Sequence, residues 1–315
     1  MSVLALDLGG TKLATALFSK AGNILAKEIV VLGNRQGKEV GALVADQVKK
    51  FLAADIQPND KISSIGICVP GISRQLSGTV WAPNISGWED YPLLEEIKKI
   101  SAGIPVLIDS DRACYMLGEK WQGNAQGCEN AIFLAVGTGI GAGILVNGAI
   151  MRGAQDIAGA IGWMALQAPF EEKYIACGCF EHYASGEGIA KLAREFLEKD
   201  IGYSGILKSA PIGEIRAHHI FSAYDQNDSM AVAIFRQCIV YWGMAVANLV
   251  SLFNPEKILL GGGVFGPATR FIPDIQKEAA KWAQPISMQM VSLQAAALGP
   301  DAGLFGAGYL ALQNR

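Results

Sequence analysis

Histidine is scarce in this chain: three residues in 315, His182, His218 and His219. That scarcity argues against a Ser-His-Asp hydrolase and against a metal centre built from several imidazoles. Charge is sparse too, with Asp, Glu, Lys and Arg at 17% and a net charge of −3. Lysine and arginine are dispersed, so nucleic acid is not an expected partner. The six cysteines are scattered, at Cys68, Cys114, Cys128, Cys177, Cys179 and Cys238. In a chain of this size they read as buried thiols rather than a disulfide framework. No apolar stretch reads as approaching the length of a membrane span, and no low-complexity segment is visible. Met1-Ser2-Val3 runs directly into a strand, with no basic region or cleavage site. A cytoplasmic protein without a membrane partner is the expectation.

Glycine and apolar side chains are what the chain has in quantity: 37 glycines, and 51% hydrophobic residues. A chain of 315 residues exceeds most single cores, which predicts two domains. In residues 130–148 an apolar run, Ile132 to Val136, enters the turn Gly137-Thr138-Gly139-Ile140-Gly141 and leaves through Gly143 to Val146. The exit is too short and too apolar for an amphipathic helix, so the stretch reads as a β-hairpin. Glycines in such a turn free backbone N–H groups for an anion, and Thr138 adds a hydroxyl. The same order occurs at the start: Val3 to Leu8, Gly9-Gly10-Thr11, Leu13 to Phe18, Ala21-Gly22-Asn23, then Ile24 to Val31. Two such units suggest a duplicated fold. Asp7 is the one charge in the first strand, costly there unless it meets a metal or a donor.

Between the hairpins, Glu39 to Ala53 has helical spacing and Ile62 to Val69 reads as a strand ending at Pro70-Gly71. The irregular stretch through Pro83-Asn84 and Gly87-Trp88 is long enough to be functional. Pro105 to Ile108 reads as a short strand running into Asp109-Ser110-Asp111, with a helix from Arg112 to Trp121. Acids at a strand-to-helix junction sit where α/β proteins hold ligands. Ser110 or Asp111 could instead cap the helix. Further on, Gly186 to Lys199 and Met230 to Phe253 read as helices, and Lys257 to Leu260 as a strand stopped by Gly261-Gly262-Gly263. Arg152 and Asp156 read as a solvated pair; Trp163 could fill core volume or stack its face on a ligand, and core packing is the commoner fate of such a residue. The overall reading is α/β with mixed sheets, divided into 1–120 and 121–301, with a C-terminal helix over 302–315 packing on the first part.

These motifs, in this order over nearly the whole chain, resemble the ROK family of sugar kinases and regulators. They are Asp7-Leu8-Gly9-Gly10-Thr11-Lys12, Val69-Pro70-Gly71, Ala82-Pro83-Asn84, Ser110-Asp111, Gly137-Thr138-Gly139-Ile140-Gly141, Glu181-His182-Tyr183-Ala184-Ser185-Gly186, Asn254-Pro255 and Gly261-Gly262-Gly263. The resemblance implies two ribonuclease-H-like domains of the actin/hexokinase type flanking a cleft, where ATP and Mg²⁺ face a sugar. It implies that Gly9, Gly10, Thr11 and Lys12, with Gly137, Thr138 and Gly139, hold phosphate, and that Gly261, Gly262 and Gly263 lie by the adenosine. By the same resemblance Asp7 acts near Mg²⁺ through phosphate or water, and Gly71, Asn84, Ser110, Asp111 and Glu181 contact the sugar. Asp111 matches the catalytic base. One carboxylate suits phosphoryl transfer, where positioning and charge neutralisation supply most of the acceleration.

The chain also departs from the family. Ser110-Asp111 replaces the usual Asn-Asp, and Ala160-Ile161-Gly162-Trp163 replaces Glu-Ile-Gly-His. That removes a carboxylate and an imidazole used to grip sugar hydroxyls. The zinc loop is reduced to Cys177-Gly178-Cys179, with His182 as the one further ligand nearby, so a structural zinc is not expected. The expected activity is phosphorylation of a hydroxyl, most simply the 6-hydroxyl, of a hexose or hexose-like sugar, by a homodimeric glucokinase-like enzyme with altered specificity. The alternative is a sensor of the same fold without turnover. Family repressors usually carry an N-terminal helix-turn-helix, whereas the first strand here begins near Val3. The turn also fits the dinucleotide fingerprint G-x-G-x-x-A, but that needs a helix where Gly143 to Val146 reads as a strand.

Overall fold

The computed structural model describes residues 1–54, 61–200 and 202–313; residues 314 and 315, at the end of the expected C-terminal helix, lie outside them. Its framework is a pair of five-stranded mixed sheets with one topology used twice. The first sheet contains β1 (Ser2–Leu8), β2 (Lys12–Ser19), β3 (Ile24–Val31), β4 (Ile62–Val69) and, after the small ribbon β5 (Ile72–Ser73) and β6 (Val80–Trp81), β7 (Val106–Ser110). Its order is β3-β2-β1-β4-β7, the first three antiparallel and the rest parallel. The second contains β8 (Ala131–Val136), β9 (Ile140–Val146), β10 (Ala149–Ile150), β11 (Lys257–Gly261) and β12 (Ser292–Ala295), in the order β10-β9-β8-β11-β12. Strand by strand the two orders correspond. β12 is one strand that periodicity missed, since Ser292 to Ala295 is four residues long with Leu293 as its one large apolar side chain.

The two faces of the first sheet differ in side-chain size, and that difference places the helices. Leu4, Leu6, Leu8, Ile65 and Ile67 point to one face, against Val40, Val44 and Val48 of α1 (Lys38–Ala53) and Leu93 and Ile97 of α2 (Leu93–Ile100). Each fully buried aliphatic side chain there contributes about 1.5–3 kcal/mol relative to exposure. On the other face Val3, Ala5, Ala14 and Ala16 are small and let α10 (Ala302–Leu312) approach closely through Leu304, Ala307 and Ala311. Asp7 alternates onto this second face with Val3 and Ala5, so the charge lies under α10. α3 (Asp111–Gln122) packs on α10 and on β8 and β9, so it is shared between the sheets.

The second sheet is covered by α4 (Cys179–Ala184), α5 (Gly186–Lys199), α6 (Ala217–Asp225), α7 (Ser229–Phe253), α8 (Ile272–Ala279) and α9 (Pro285–Met290). Asp228 caps α7, accepting from Met230 N and Ala231 N at 3.0 Å, and Asn254 in the left-handed region (φ 44°) ends it before Pro255. α7 corrects the expectation that no stretch reaches the length of a membrane span. It has 25 residues, and its most apolar window has a mean hydropathy of 1.5, enough by length and composition to cross a membrane. Arg236, its one charged residue, masks the run but is too little to break it. Within the fold, 61% of that window is buried against the domain's other helices and sheet.

Candidate active site

The parallel register of the first sheet sets Asp7, Cys68 and Asp109 in one row across β1, β4 and β7. β7 runs two residues beyond the expected strand, so Asp109 and Ser110 are on it and Asp111 opens α3. Burial pushes the Asp7 carboxyl above the usual carboxylate range, and the Cys68 thiol and the Lys12 ammonium draw it back. α10 closes over it: a Cβ on Gly303 would lie 2.6 Å from Asp7 Oδ2.

Ser110 is the cap of α3, its Oγ accepting from Ala113 N at 3.4 Å, and it is 8% exposed. Capping therefore falls to Ser110, and Asp111 keeps acceptor capacity. Its Oδ1 accepts from Arg112 N at 2.8 Å. Burial raises the Asp111 pKa to about 6; the Arg112 cation lowers it and the Asp7 charge raises it. Asp7 and Asp111 thus lie within one another's field. Among the described residues no group of three or more His, Cys, Asp or Glu could hold a metal. Two carboxylates completed by phosphate oxygens and water form a donor set that suits Mg²⁺, which keeps several waters and dehydrates reluctantly. When bound, such an ion neutralises phosphate charge.

The β8–β9 turn touches three parts of the site. Arg112 packs on it, a Cβ on Gly141 lying 2.6 Å from its Cδ, and reaches with Nη2 to the carbonyl of Gly71 at 3.3 Å. Glu181, on α4, accepts from Ile140 N through Oε2 at 2.6 Å, and a Cβ on Gly139 would lie 2.7 Å from that oxygen. Gly139 and Gly141 are therefore demanded by close approach rather than by φ. Burial pushes Glu181 upward, opposed by the Ile140 N–H and Lys191. On its other side the turn presents Gly137 and Thr138 to a cavity of about 640 Å³. Gly263 and Val264 beyond β11 form a second wall, and Arg216, His218, Phe221, Asp225 and Arg270 face them. Those five residues were not picked out from sequence, and only the pairing of two glycine-rich strand ends hints at their side of the cavity.

The Gly261–Gly263 run separates in the fold. Gly261 ends β11, buried, where a Cβ would meet the Phe133 ring, whereas Gly262 and Gly263 are exposed. The Gly9–Lys12 turn, closed by Gly9 N donating to Lys12 O at 2.9 Å, does not line the 640 Å³ cavity. It meets Asn84 instead, a Cβ on Gly10 lying 2.8 Å from Asn84 Nδ2.

Two readings are corrected. Arg152 does not pair with Asp156: it forms an ion pair with buried Asp109, while Asp156 Oδ2 accepts from Gln75 N at 3.1 Å. The first contact ties the loop after β10 to the first sheet and the second ties it to the loop of the β5–β6 ribbon, a partner choice that sequence proximity cannot reveal. Trp163 is not core; it is 59% exposed on the 3₁₀ turn Ile161–Trp163. Near it Cys179 is buried at the start of α4, Cys177 is half-buried, and His182 is buried with Nε2 making no hydrogen bond and lying 4.0 Å from Glu195 Oε1, its ring edge-on to Tyr174 and Tyr183. Burial pushes the His182 imidazole down, towards the neutral form.

Glucokinase of Halalkalibacterium halodurans is 32% identical over 99% of this chain and 95% of its own length. The ROK family glucokinase from Streptomyces griseus, solved in complex with glucose and AMPPNP, is 28% identical with a TM-score of 0.78, covering 100% of both chains. A ROK family transcriptional regulator, a homolog of the E. coli MLC protein, is 26% identical with a TM-score of 0.85; 98% of this chain aligns with 77% of that one. These neighbours share the actin-like ATPase fold. Residues 3–314 match the model of the ROK family, so the repeated mixed sheets and their glycine turns mark this chain as a member of it.

Proposed function

We propose that this chain is a sugar kinase that transfers the γ-phosphoryl group of ATP, with Mg²⁺, to a hydroxyl of a hexose or hexose-like sugar, most simply the 6-hydroxyl. The observation that carries the reading is the double use of the β8–β9 turn. Gly137 and Thr138 front a cavity large enough for a nucleotide, and within the same five residues Gly139 to Gly141 abut Glu181 and Arg112, the neighbour of Asp111. A phosphate held at the turn would lie between nucleotide and acceptor. In this reading Asp111 accepts the proton of the attacking hydroxyl. Its pKa of about 6 leaves it ionised at neutral pH yet basic enough for the task. Gly10, Thr11 and Lys12 cradle phosphate from the first sheet beside Asp7, and Asn84, Gly71 and Glu181 orient the sugar. Glucokinases among the relatives support the substrate class, and the AMPPNP complex of the S. griseus enzyme supports ATP as donor.

The same proposal divides the chain at 120/121 and returns α10 to the first domain. It describes a cytoplasmic homodimer, on family resemblance. The regulator among the structural neighbours favours a second reading, a sugar sensor without turnover. ADP release with Mg²⁺-ATP across hexoses, N-acetylhexosamines, deoxysugars and anhydrosugars separates the two, with Asp111→Asn as the blank. Turnover on one class, lost in the variant, is the expected result. ATP binding without turnover on any of them would favour the sensor.

A further inference from the structure

Trp163, Phe170 and Ile175 are 59%, 72% and 65% exposed, yet they are not scattered. With Ala165, Tyr174 and Gly178 they line a single cavity of about 460 Å³. Two of its polar groups are engaged within the fold: Gln167 Oε1 accepts from the Tyr241 hydroxyl, and the Tyr174 hydroxyl donates to Glu171 Oε1 at 2.8 Å. What remains open is apolar surface, the kind that marks a binding site when it is contiguous. The cavity also borders the acceptor site. A Cβ on Gly178 would lie 2.5 Å from Trp163 Cα, and a Cβ on Gly162 would lie 3.0 Å from Glu181 Oε2. Trp163 and Glu181 therefore flank one Gly162–Gly178 backbone contact, with apolar surface on one side and a carboxylate on the other. The volume falls in the range of small-molecule sites. It suits one ring or a short chain, and a tryptophan face stacks well on a ring.

We propose that the sugar bound here carries an apolar substituent, aryl or short alkyl, which docks in the Trp163–Phe170–Ile175 cavity while its ring lies by Glu181. The inference rests on the sugar-kinase reading for its position and names the substrate class of that site. It also accounts for a tryptophan and an alanine where the family resemblance places an imidazole and a carboxylate at positions 163 and 160. An apolar group gains nothing from polar partners and much from surface removed from water.

The test is calorimetric binding of methyl, phenyl and hexyl glycosides of glucose, galactose and mannose, both anomers, with ADP release measured on the same compounds. On at least one ring, phenyl or hexyl is expected to bind about tenfold or more tightly than methyl, in line with burial of several CH₂ equivalents. Trp163→Ala and Ile175→Asp are each expected to bring that ratio towards one. Equal affinities across substituents on every ring, or a ratio unmoved by both variants, overturn the inference. Turnover without any gain from the substituent overturns it too, while the kinase reading stands. A substituent gain without ADP release supports the apolar subsite and removes the kinase reading. If Ile175→Asp instead shifts the sedimentation coefficient and no glycoside gains affinity, the surface belongs to a second copy and the inference fails.

Discussion

Arg152 donates through Nη2 to Oδ2 of Asp109, whose side chain is 4% exposed, across 43 residues of sequence and from the loop after β10 to β7 of the first sheet. Asp109 in turn accepts from Ser110 N through Oδ1 at 2.8 Å, so the pair holds the backbone one residue before Asp111. Burial pushes the Asp109 carboxyl up and the Arg152 cation opposes it. Removing one partner of such a buried pair strands the other charge. Arg152→Met is expected to lose about 3 kcal/mol in urea unfolding. Asp109→Asn with Arg152→Met should recover part of that stability, since no charge is left buried. Sugar turnover should stay low in both, because the loop after β10 is no longer tied to the strand that leads to Asp111. Recovery of turnover along with stability would refute the positioning role.

Asp111 makes a pH prediction with a definite sign. Its folded pKa, about 6, lies above the ordinary 3.8, so the native state binds more protons than the unfolded state between those values. Stability therefore falls as pH rises through that window and is level above it. Asp111→Asn should be more stable than the parent at pH 8, by at most about 3 kcal/mol, and the advantage should vanish near pH 4. Activity runs the other way. kcat/KM for the parent should fall about tenfold per pH unit below 6, and Asp111→Asn should lose about 10²–10⁴-fold in kcat.

Glu181 is expected to act on the turn as well as on the sugar. Glu181→Ala leaves the Ile140 N–H without the carboxylate it now donates to, at a cost of about 1–3 kcal/mol, and should raise KM for ATP and sugar together. Glu181→Gln keeps an acceptor oxygen for that N–H. Its KM for ATP should stay near the parent value, and the remaining defect should appear on the sugar side. Steady-state kinetics with each substrate varied in turn reads the difference.

Gly303 gives a steric prediction. A methyl group there would meet Asp7 Oδ2 at 2.6 Å, so Gly303→Ala must displace either α10 or the carboxylate. Overpacking of this kind costs about 1–3 kcal/mol. The variant is expected to need several-fold more Mg²⁺ for half-maximal ADP release. Gly213→Ala is the control, because a Cβ there meets nothing within 4 Å.

Much of the architecture is legible in the residues. The strand Ile62 to Val69 and the helix Gly186 to Lys199 have the same ends in the reading and in the fold. Most other elements agree within one or two residues, because alternation and helical spacing are local signals that tertiary packing reinforces, while β9 begins at Ile140, three residues before the expected Gly143. The duplicated hairpins predicted two like sheets, and the five-strand orders match. Weak elements escaped: α4, α8 and β12 are short, and their form depends on what they pack against. α7 is legible as a helix, and its span-like length is a property of the whole 25-residue run rather than of any local pattern.

The site divides along the same line. Gly137-Thr138-Gly139, Asp7 and Asp111 can be singled out as candidates from sequence because residue type and strand-end position are properties of a few neighbours in the chain. The partners of those residues cannot. Arg152 reaching Asp109, Glu181 receiving the Ile140 N–H, and Arg216 facing Gly263 each require segments tens of residues apart to meet, and no local pattern encodes the meeting. Trp163 shows why. Its size and apolarity favour burial in any neighbourhood, and whether a neighbour covers it is settled by the path of the loop around it. Residue identity set which contacts were chemically possible, and packing of the two sheets selected among them.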